Sequence, residues 1–346
     1  MISRVFYRWE RRLAAAAENR VVRPFEWGLD WLDAIERDVG RGFSHGSTEV
    51  DPTERLAEWS SHRVANSDEF FALEACSEYT LDGAHLTFPS AVRTPHPANN
   101  VVHGRFFPVA SDRGRRRAVV VLPQWNADAE GHIGLCRLLN RFHVSALRLS
   151  LPYHDARMPP ELRRADYIVS SNVGRTMQVC RQAVLDARRA IAWLAASGYE
   201  SIGILGTSLG SCLAMLTAAH EPLIRAAALN HVSPYFADVI WEGLSTEHVR
   251  EGLDGRIDLD ALRRIWMPIS PFPYIDRMRG KRVLLVYARY DLTFPLTLSK
   301  MLVKEFRTRG ANPDVSVLPC GHYSTGVFPF NWMDGLILCR FLNRSL

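Results

Sequence analysis

From residue 118 onward the chain alternates short apolar runs with longer amphipathic stretches. The runs at 118–122, 144–149, 202–205, 226–229, 283–287 and 315–318 read as strands, and 133–142, 176–196, 299–309 and 333–342 read as helices. Residues 101–109 and the stretch around Leu86 read as leading strands. Strands separated by helices pair as parallel neighbours with helices covering both faces. The expected fold class is therefore α/β, a mostly parallel sheet flanked by helices, with no internal repeat.

Two regions break the alternation. Residues 1–75 are helical in pattern and rich in Trp and Phe, and read as an N-terminal extension. The stretch at about 231–280 interrupts the rhythm with Pro234, Pro268, Pro271 and Pro273 and holds one helix near 258–265. An insertion between consecutive sheet strands reads as a cap on a domain spanning 76–346. Its aromatic residues Phe236, Trp241, Trp266 and Phe272 are candidates for an apolar wall. The chain's 346 residues suit a single α/β domain with such additions.

The strand at 202–205 runs into Gly206-Thr207-Ser208-Leu209-Gly210 and then into a helical pattern carrying Leu213, Met215, Leu216 and Ala219. A sharp strand-to-helix turn needs small residues at both flanks and leaves Ser208 exposed at its apex. The glycines here do not spell G-x-G-x-x-G, and no Lys follows as a phosphate loop requires. A serine hydroxyl is a poor nucleophile by itself, so acyl transfer needs a base, a carboxylate that orients the base, and donors for the oxyanion. Asp291 follows the strand at 283–287, and His322 follows the strand at 315–318. In a parallel sheet both loops lie on the same edge as Ser208, so three distant segments converge there.

The order Ser208, Asp291, His322 resembles that of the α/β-hydrolase family, over roughly residues 100–345. The resemblance implies that Ser208 is the nucleophile, His322 the general base and then acid, and Asp291 the group that orients and supports His322. It implies an oxyanion hole from the backbone N–H of Leu209 and a second N–H after the strand at 118–122. There the family usually shows a His-Gly pair, whereas this chain reads "LPQWNADAEGH", leaving Trp125 as the candidate donor and Gln124 beside it. The implied activity is a serine hydrolase, a carboxylesterase by default, cleaving a carboxylic ester or thioester through an acyl-enzyme without a cofactor. The alternatives are a non-catalytic binding protein of the same fold, and an acyltransferase or peptidase using the same triad.

Each residue also has a plainer reading. His322 taken alone is a polar loop histidine, and Asp291 near Pro295 is a helix cap. The competing acids Asp238, Asp254, Asp258 and Asp276 lack a strand-end position. His231, directly after the strand at 226–229, reads as a rim residue that contacts substrate or bonds to the cap. Tyr153, His154 and Asp155 stand similarly after the strand at 144–149, and Gln124, His231 and Tyr153 are the candidate substrate contacts. Cys212 and Cys320 read as packing thiols, because neither has an activating neighbour in sequence. No H-E-x-x-H or comparable cluster calls for a metal.

The charge is +5, of which residues 1–23 carry +4 through six arginines against Glu10 and Glu18. The near-neutral remainder argues against a nucleic-acid partner. The basic run at 113–117 reads as a solvated loop between strands. Six scattered cysteines without C-x-x-C pairs, no export signal and no long apolar run point to a cytoplasmic protein. Within 1–20, Ile2, Val5, Phe6, Trp9 and Leu13 share one helical face, with Arg4, Arg8, Arg11 and Arg12 around it. This is either a peripheral membrane contact, suited to a lipid-like ester, or a helix packed on the main domain. Oligomeric state is not readable.

Overall fold

The computed structural model describes residues 2–16, 19–38, 51–109 and 116–346; most of the basic run at 113–117 lies outside them. Among these residues nine strands form a single sheet: β1 (Thr80–Asp82), β2 (His85–Pro89), β3 (Val101–Phe107), β4 (Arg117–Leu122), β5 (Ser145–Leu149), β6 (Ser201–Thr207), β7 (Ile224–Asn230), β8 (Arg282–Ala288) and β9 (Asp314–Leu318). The order is β1-β2-β3-β5-β4-β6-β7-β8-β9. Pairings from β1 to β5 are antiparallel, and those from β5 to β9 are parallel.

The described helices are α1 (Ile2–Ala15), α2 (Leu29–Asp38), α3 (Pro52–Ala65), α4 (Ser67–Phe70), α5 (Ile133–Arg141), α6 (Val173–Ala196), α7 (Leu209–His220), α8 (Phe236–Glu242), α9 (Glu247–Leu253), α10 (Leu259–Ile265), α11 (Leu296–Thr308) and α12 (Phe330–Ser345). The sheet is covered on both faces. Because side chains alternate along a strand, Ala118, Val120 and Leu122 of β4 face one apolar cluster with Val184 and Ile191 of α6 and Leu213 of α7. Val119 and Val121 face the other, with Leu139 of α5 and Leu338 and Phe341 of α12. All of α7 is buried, so the helix after Ser208 is a central packing element and the turn that starts it is held from every side.

The leading residues belong to the same core. Leu32, Ile35, Leu56, Trp59, Phe70 and Phe71 lie in the cluster that packs on α6 and α7. The buried Glu36 accepts from Trp59 Nε1 and Arg63, each at 2.7 Å. The stretch at 231–280 contains three short helices where its sequence pattern suggests one, because its turns pack against neighbours rather than along a period. Ser60 Oγ donates to Ile265 O at 2.6 Å, and the fully buried Trp266 donates from Nε1 to Val173 O at 3.2 Å.

Helix α1 lies beside the ends of β8 and β9. Phe6 stacks on Tyr290 at 4.5 Å, and Trp9 approaches Phe330 at 6.4 Å. Glu10 and Ala14 are buried, whereas Arg4, Arg8, Arg11, Arg12, Ile2 and Val5 are exposed. Among the described residues no helix is long and apolar enough to cross a membrane.

Candidate active site

The C-terminal ends of the parallel strands are joined beyond the sheet ladder. Ser208 N donates to Asn230 O at 2.8 Å, His231 N to Val286 O at 2.9 Å, and Tyr290 N to Cys320 O at 2.9 Å. Four successive strand ends are thereby drawn together, and Ser208, His231, Asp291 and His322 meet at one point on the sheet edge.

Ser208 sits at φ 55° and ψ −121°, a conformation an L-residue adopts only where its surroundings impose it. Its flanks show how. A Cβ on Gly206 would lie 2.1 Å from Gly210 O, and one on Gly210 would lie 2.3 Å from Leu122 O and 2.4 Å from Pro123 O. Only glycine lets β6, α7 and the end of β4 approach so closely. Asn126, His132 and His231 also have positive φ and, with Ser208, line one cavity of about 850 Å³. Four strained residues around one space mark a site rather than a scatter of turns.

Ser208 Oγ is 3.2 Å from His322 Nε2, and His322 Nδ1 is 3.1 Å from Asp291 Oδ2. That same Oδ2 lies 2.8 Å from His231 Nδ1. Asp291 Oδ1 accepts from the backbone N–H groups of Thr293 and Phe294, both at 2.7 Å, so the aspartate closes a turn at the start of its own loop. Burial opposes its negative charge, but His322, the two imidazole hydrogen bonds and His231 hold its carboxyl well below the usual range. The carboxylate is fully satisfied and ionised.

His231 is not on a rim. It is 1 % exposed, bonded to Asp291 on one side and 3.4 Å from Thr325 Oγ1 on the other. Burial disfavours its charge, yet the hydrogen bond and charge of Asp291, with Asp334 and Glu10 beyond, raise its pKa. Its ring meets His322 edge-on at 4.8 Å. Among the described residues, His231, Asp291 and His322 are the group whose ligand atoms come close enough, within 4.8 Å, to hold an ion. Both rings direct Nδ1 to the shared carboxylate oxygen, so an ion there would have to replace both hydrogen bonds.

The loop after β4 is held by the end of β5 and the segment that follows it. Arg148, 3 % exposed, donates to Gly131 O, Asp128 O and Asp155, and His154 Nε2 accepts from Asn126 N at 2.9 Å. His154 and Asp155 are therefore supports for the loop that carries Gln124 and Trp125. Tyr153 is fully buried with its hydroxyl 3.1 Å from His96 Nδ1, and is not among the residues lining the cavity. Gln124 and Trp125 do line it. Trp125 Nε1 donates to Ala165 O at 2.9 Å, which fixes its ring. Leu209 opens α7, so its N–H belongs to the first turn, which has no intrahelical acceptor.

The remaining acids lie elsewhere. Asp238 pairs with Arg263 at 2.5 Å, Asp258 caps α10, Asp276 pairs with Arg279 at 2.6 Å, and Asp254 is exposed. Cys212 and Cys320 are buried, and burial raises both thiols, Cys320 to about 12. Neither is a poised thiolate.

Three residues carry no recognisable signal in the sequence. His132 Nε2 lies 2.9 Å from Thr207 Oγ1, and burial with the charge of Arg148 lowers its pKa to about 4, so it is neutral. Asp334 lines the cavity from α12, bonded to Asn230 Nδ2 at 2.8 Å. Glu10 of α1 is fully buried beneath the loop that follows His322. It accepts from Tyr323 N at 2.8 Å, Ser324 N at 2.9 Å and Ser324 Oγ at 2.6 Å. A base held at 3.2 Å from a strained serine, backed by a buried carboxylate, can draw a proton from that serine as it attacks a carbonyl.

No protein-family model and no curated protein matches the sequence. Solved structures do share its architecture. Acetyl xylan esterase 1 from Thermoanaerobacterium superposes with a TM-score of 0.58 at 13% identity, over 96% of this chain and 98% of the esterase. Acylaminoacyl peptidase from Pyrococcus horikoshii gives 0.54 at 14%, over 79% of this chain. The chain spans less than half of that peptidase, 42%. An esterase from Pyrococcus furiosus gives 0.50 at 15%, over 78% of this chain and 91% of the esterase. At these identities the likeness is one of fold.

Proposed function

Since this chain has the α/β-hydrolase fold, we propose that it is a serine hydrolase cleaving a carboxylic ester or thioester. The observation that carries the proposal is the hydrogen-bonded line from Ser208 Oγ through His322 to the buried Asp291, set at the wall of the large cavity. His322 takes the Ser208 proton as Oγ attacks the carbonyl carbon, and the amides of Leu209 and Trp125 receive the oxyanion. His322 then gives that proton to the departing oxygen or sulfur. Water attacks the acyl-enzyme with His322 again as base, releasing the acid and restoring Ser208. His231 holds the same carboxylate oxygen of Asp291 that His322 uses.

The test is covalent. Diisopropyl fluorophosphate phosphorylates an activated serine far faster than an ordinary hydroxyl, so it should label Ser208 in the native protein stoichiometrically and fail with folded Ser208→Ala, which should also lose ester hydrolysis by several orders of magnitude. Absence of labelling in folded wild-type protein would instead favour a binding protein of this fold.

A further inference from the structure

We infer that this site takes esters of short acyl groups and places no comparable limit on the leaving group; the inference rests on the hydrolase reading above. Ser208 stands between two cavities of very different size. One, of about 850 Å³, is lined by His322 together with Gln124, Arg137, Arg141 and Asn230. The other, of about 40 Å³, is lined by Leu209, Phe236, Val239, Ile240 and Phe294, with Trp125 at its edge.

Proton transfer decides which half of an ester enters which cavity. The departing oxygen must receive its proton from His322 Nε2, so the leaving group has to lie on the His322 side. His322 borders the large cavity and not the small one. The acyl chain, on the other side of the carbonyl carbon, then extends past Leu209 and Trp125 into the small cavity. That space is about a twentieth of the large one, room for a short acyl group and not for a long one.

Its walls are fixed. Phe236, Val239 and Ile240 form one face of α8 at i, i+3 and i+4. Phe236 and Ile240 are 6 % and 2 % exposed, and Phe236 meets the fully buried Trp266 edge-on at 5.6 Å. The far end of α8 is tied to the Asp291 loop. Leu244 N donates to Leu292 O at 2.8 Å, and a Cβ on Gly243 would lie 2.4 Å from Val239 O. Widening the cavity at Phe236 or Ile240 therefore means displacing packed backbone, not swinging a side chain. Of the four aromatic residues named from the insertion's sequence, only Phe236 borders it; Trp266 is in the core and Phe272 stacks on Tyr235 at 4.7 Å.

Two isomeric esters separate acyl size from hydrophobicity. Octyl acetate and ethyl octanoate have the same atoms, one with the long chain on the alcohol and the other on the acyl group. Followed by pH-stat, kcat/KM for octyl acetate should exceed that for ethyl octanoate on the order of 100-fold or more, since even one misfit methylene costs roughly 10-fold or more. Val239→Ala, and Ile240→Ala if it folds, should raise the octanoate-to-acetate ratio several-fold. Equal rates for the two isomers, or a preference for ethyl octanoate, in protein that diisopropyl fluorophosphate labels at Ser208 would overturn the inference and leave the hydrolase reading standing. Failure to label with no hydrolysis of either ester would overturn both.

Discussion

Asparagine at position 291 would change one atom of the Ser208–His322–Asp291 line and reverse the hydrogen-bonding sense of everything attached to it. Oδ1 of Asp291 faces two backbone N–H groups at 2.7 Å, so an asparagine would keep its carbonyl oxygen there. Its NH2 would take the place of Oδ2, 2.8 Å from His231 Nδ1 and 3.1 Å from His322 Nδ1. A donor now faces both rings, and each must present a lone pair at Nδ1 and carry its proton on Nε2. For His322 that proton points at Ser208 Oγ, and the base is gone. The equivalent change in a known triad costs about 10⁴ in kcat, or about 5 kcal/mol of transition-state stabilisation. Asp291 borders neither cavity, so KM should hold. Steady-state kinetics on 4-nitrophenyl acetate, with circular dichroism to verify folding, gives both numbers. A folded Asp291→Asn protein within tenfold of wild-type kcat would refute the assignment of Asp291 as the orienting acid.

Other substitutions test the scaffold. Gly210→Ala puts a Cβ against Leu122 O and Pro123 O; it should cost on the order of 3 kcal/mol and abolish activity, whereas Gly134→Ala in α5, with nothing within 4 Å, should be neutral or gain up to about 1 kcal/mol, both read from urea unfolding. Glu10→Ala strips the acceptor from Tyr323 N and Ser324 N; a loss of about 1–3 kcal/mol and a lower kcat are expected, with Glu10→Gln retaining part of each. Asp334 is raised from its ordinary 3.8 to about 6 by burial, against the opposing effects of His231 and Asn230. The folded state then holds the extra proton between those values, so stability falls as pH rises through that window. Asp334→Asn should flatten the slope and add up to about 3 kcal/mol at pH 7, seen in urea midpoints at pH 4.5 and pH 7.

The convergence of Ser208, Asp291 and His322 was legible because each stands at the C-terminal end of an apolar run, and a parallel sheet brings such ends to one edge. The glycines flanking Ser208 were legible for a similar reason: their need is local, a turn too tight for a side chain. His231 had the same strand-end placement, but nothing in its neighbours reveals that its loop closes onto Asp291, 60 residues later. The aromatic residues of 231–280 looked equivalent in sequence. Burial separates them, since Trp266 packs inward while Phe236 turns toward Ser208, and burial is set by partners far along the chain. Glu10 was invisible because an acidic residue on an amphipathic helix reads as solvated; its partners lie 313 and 314 residues away.

That last contact has a consequence in time. Translation runs from Glu10 towards His322, so a growing chain holds Ser208 114 residues before it holds the histidine beside it. Once both are made, the loop at 321–325 gives the amides of Tyr323 and Ser324 to the Glu10 carboxylate of α1. The wall behind His322 is therefore closed by a contact between segments 313 and 314 residues apart. Fragments that stop before His322 should be inert toward a fluorophosphate, and those without α1 slow to react, which makes serine reactivity itself a reporter that these two segments have met.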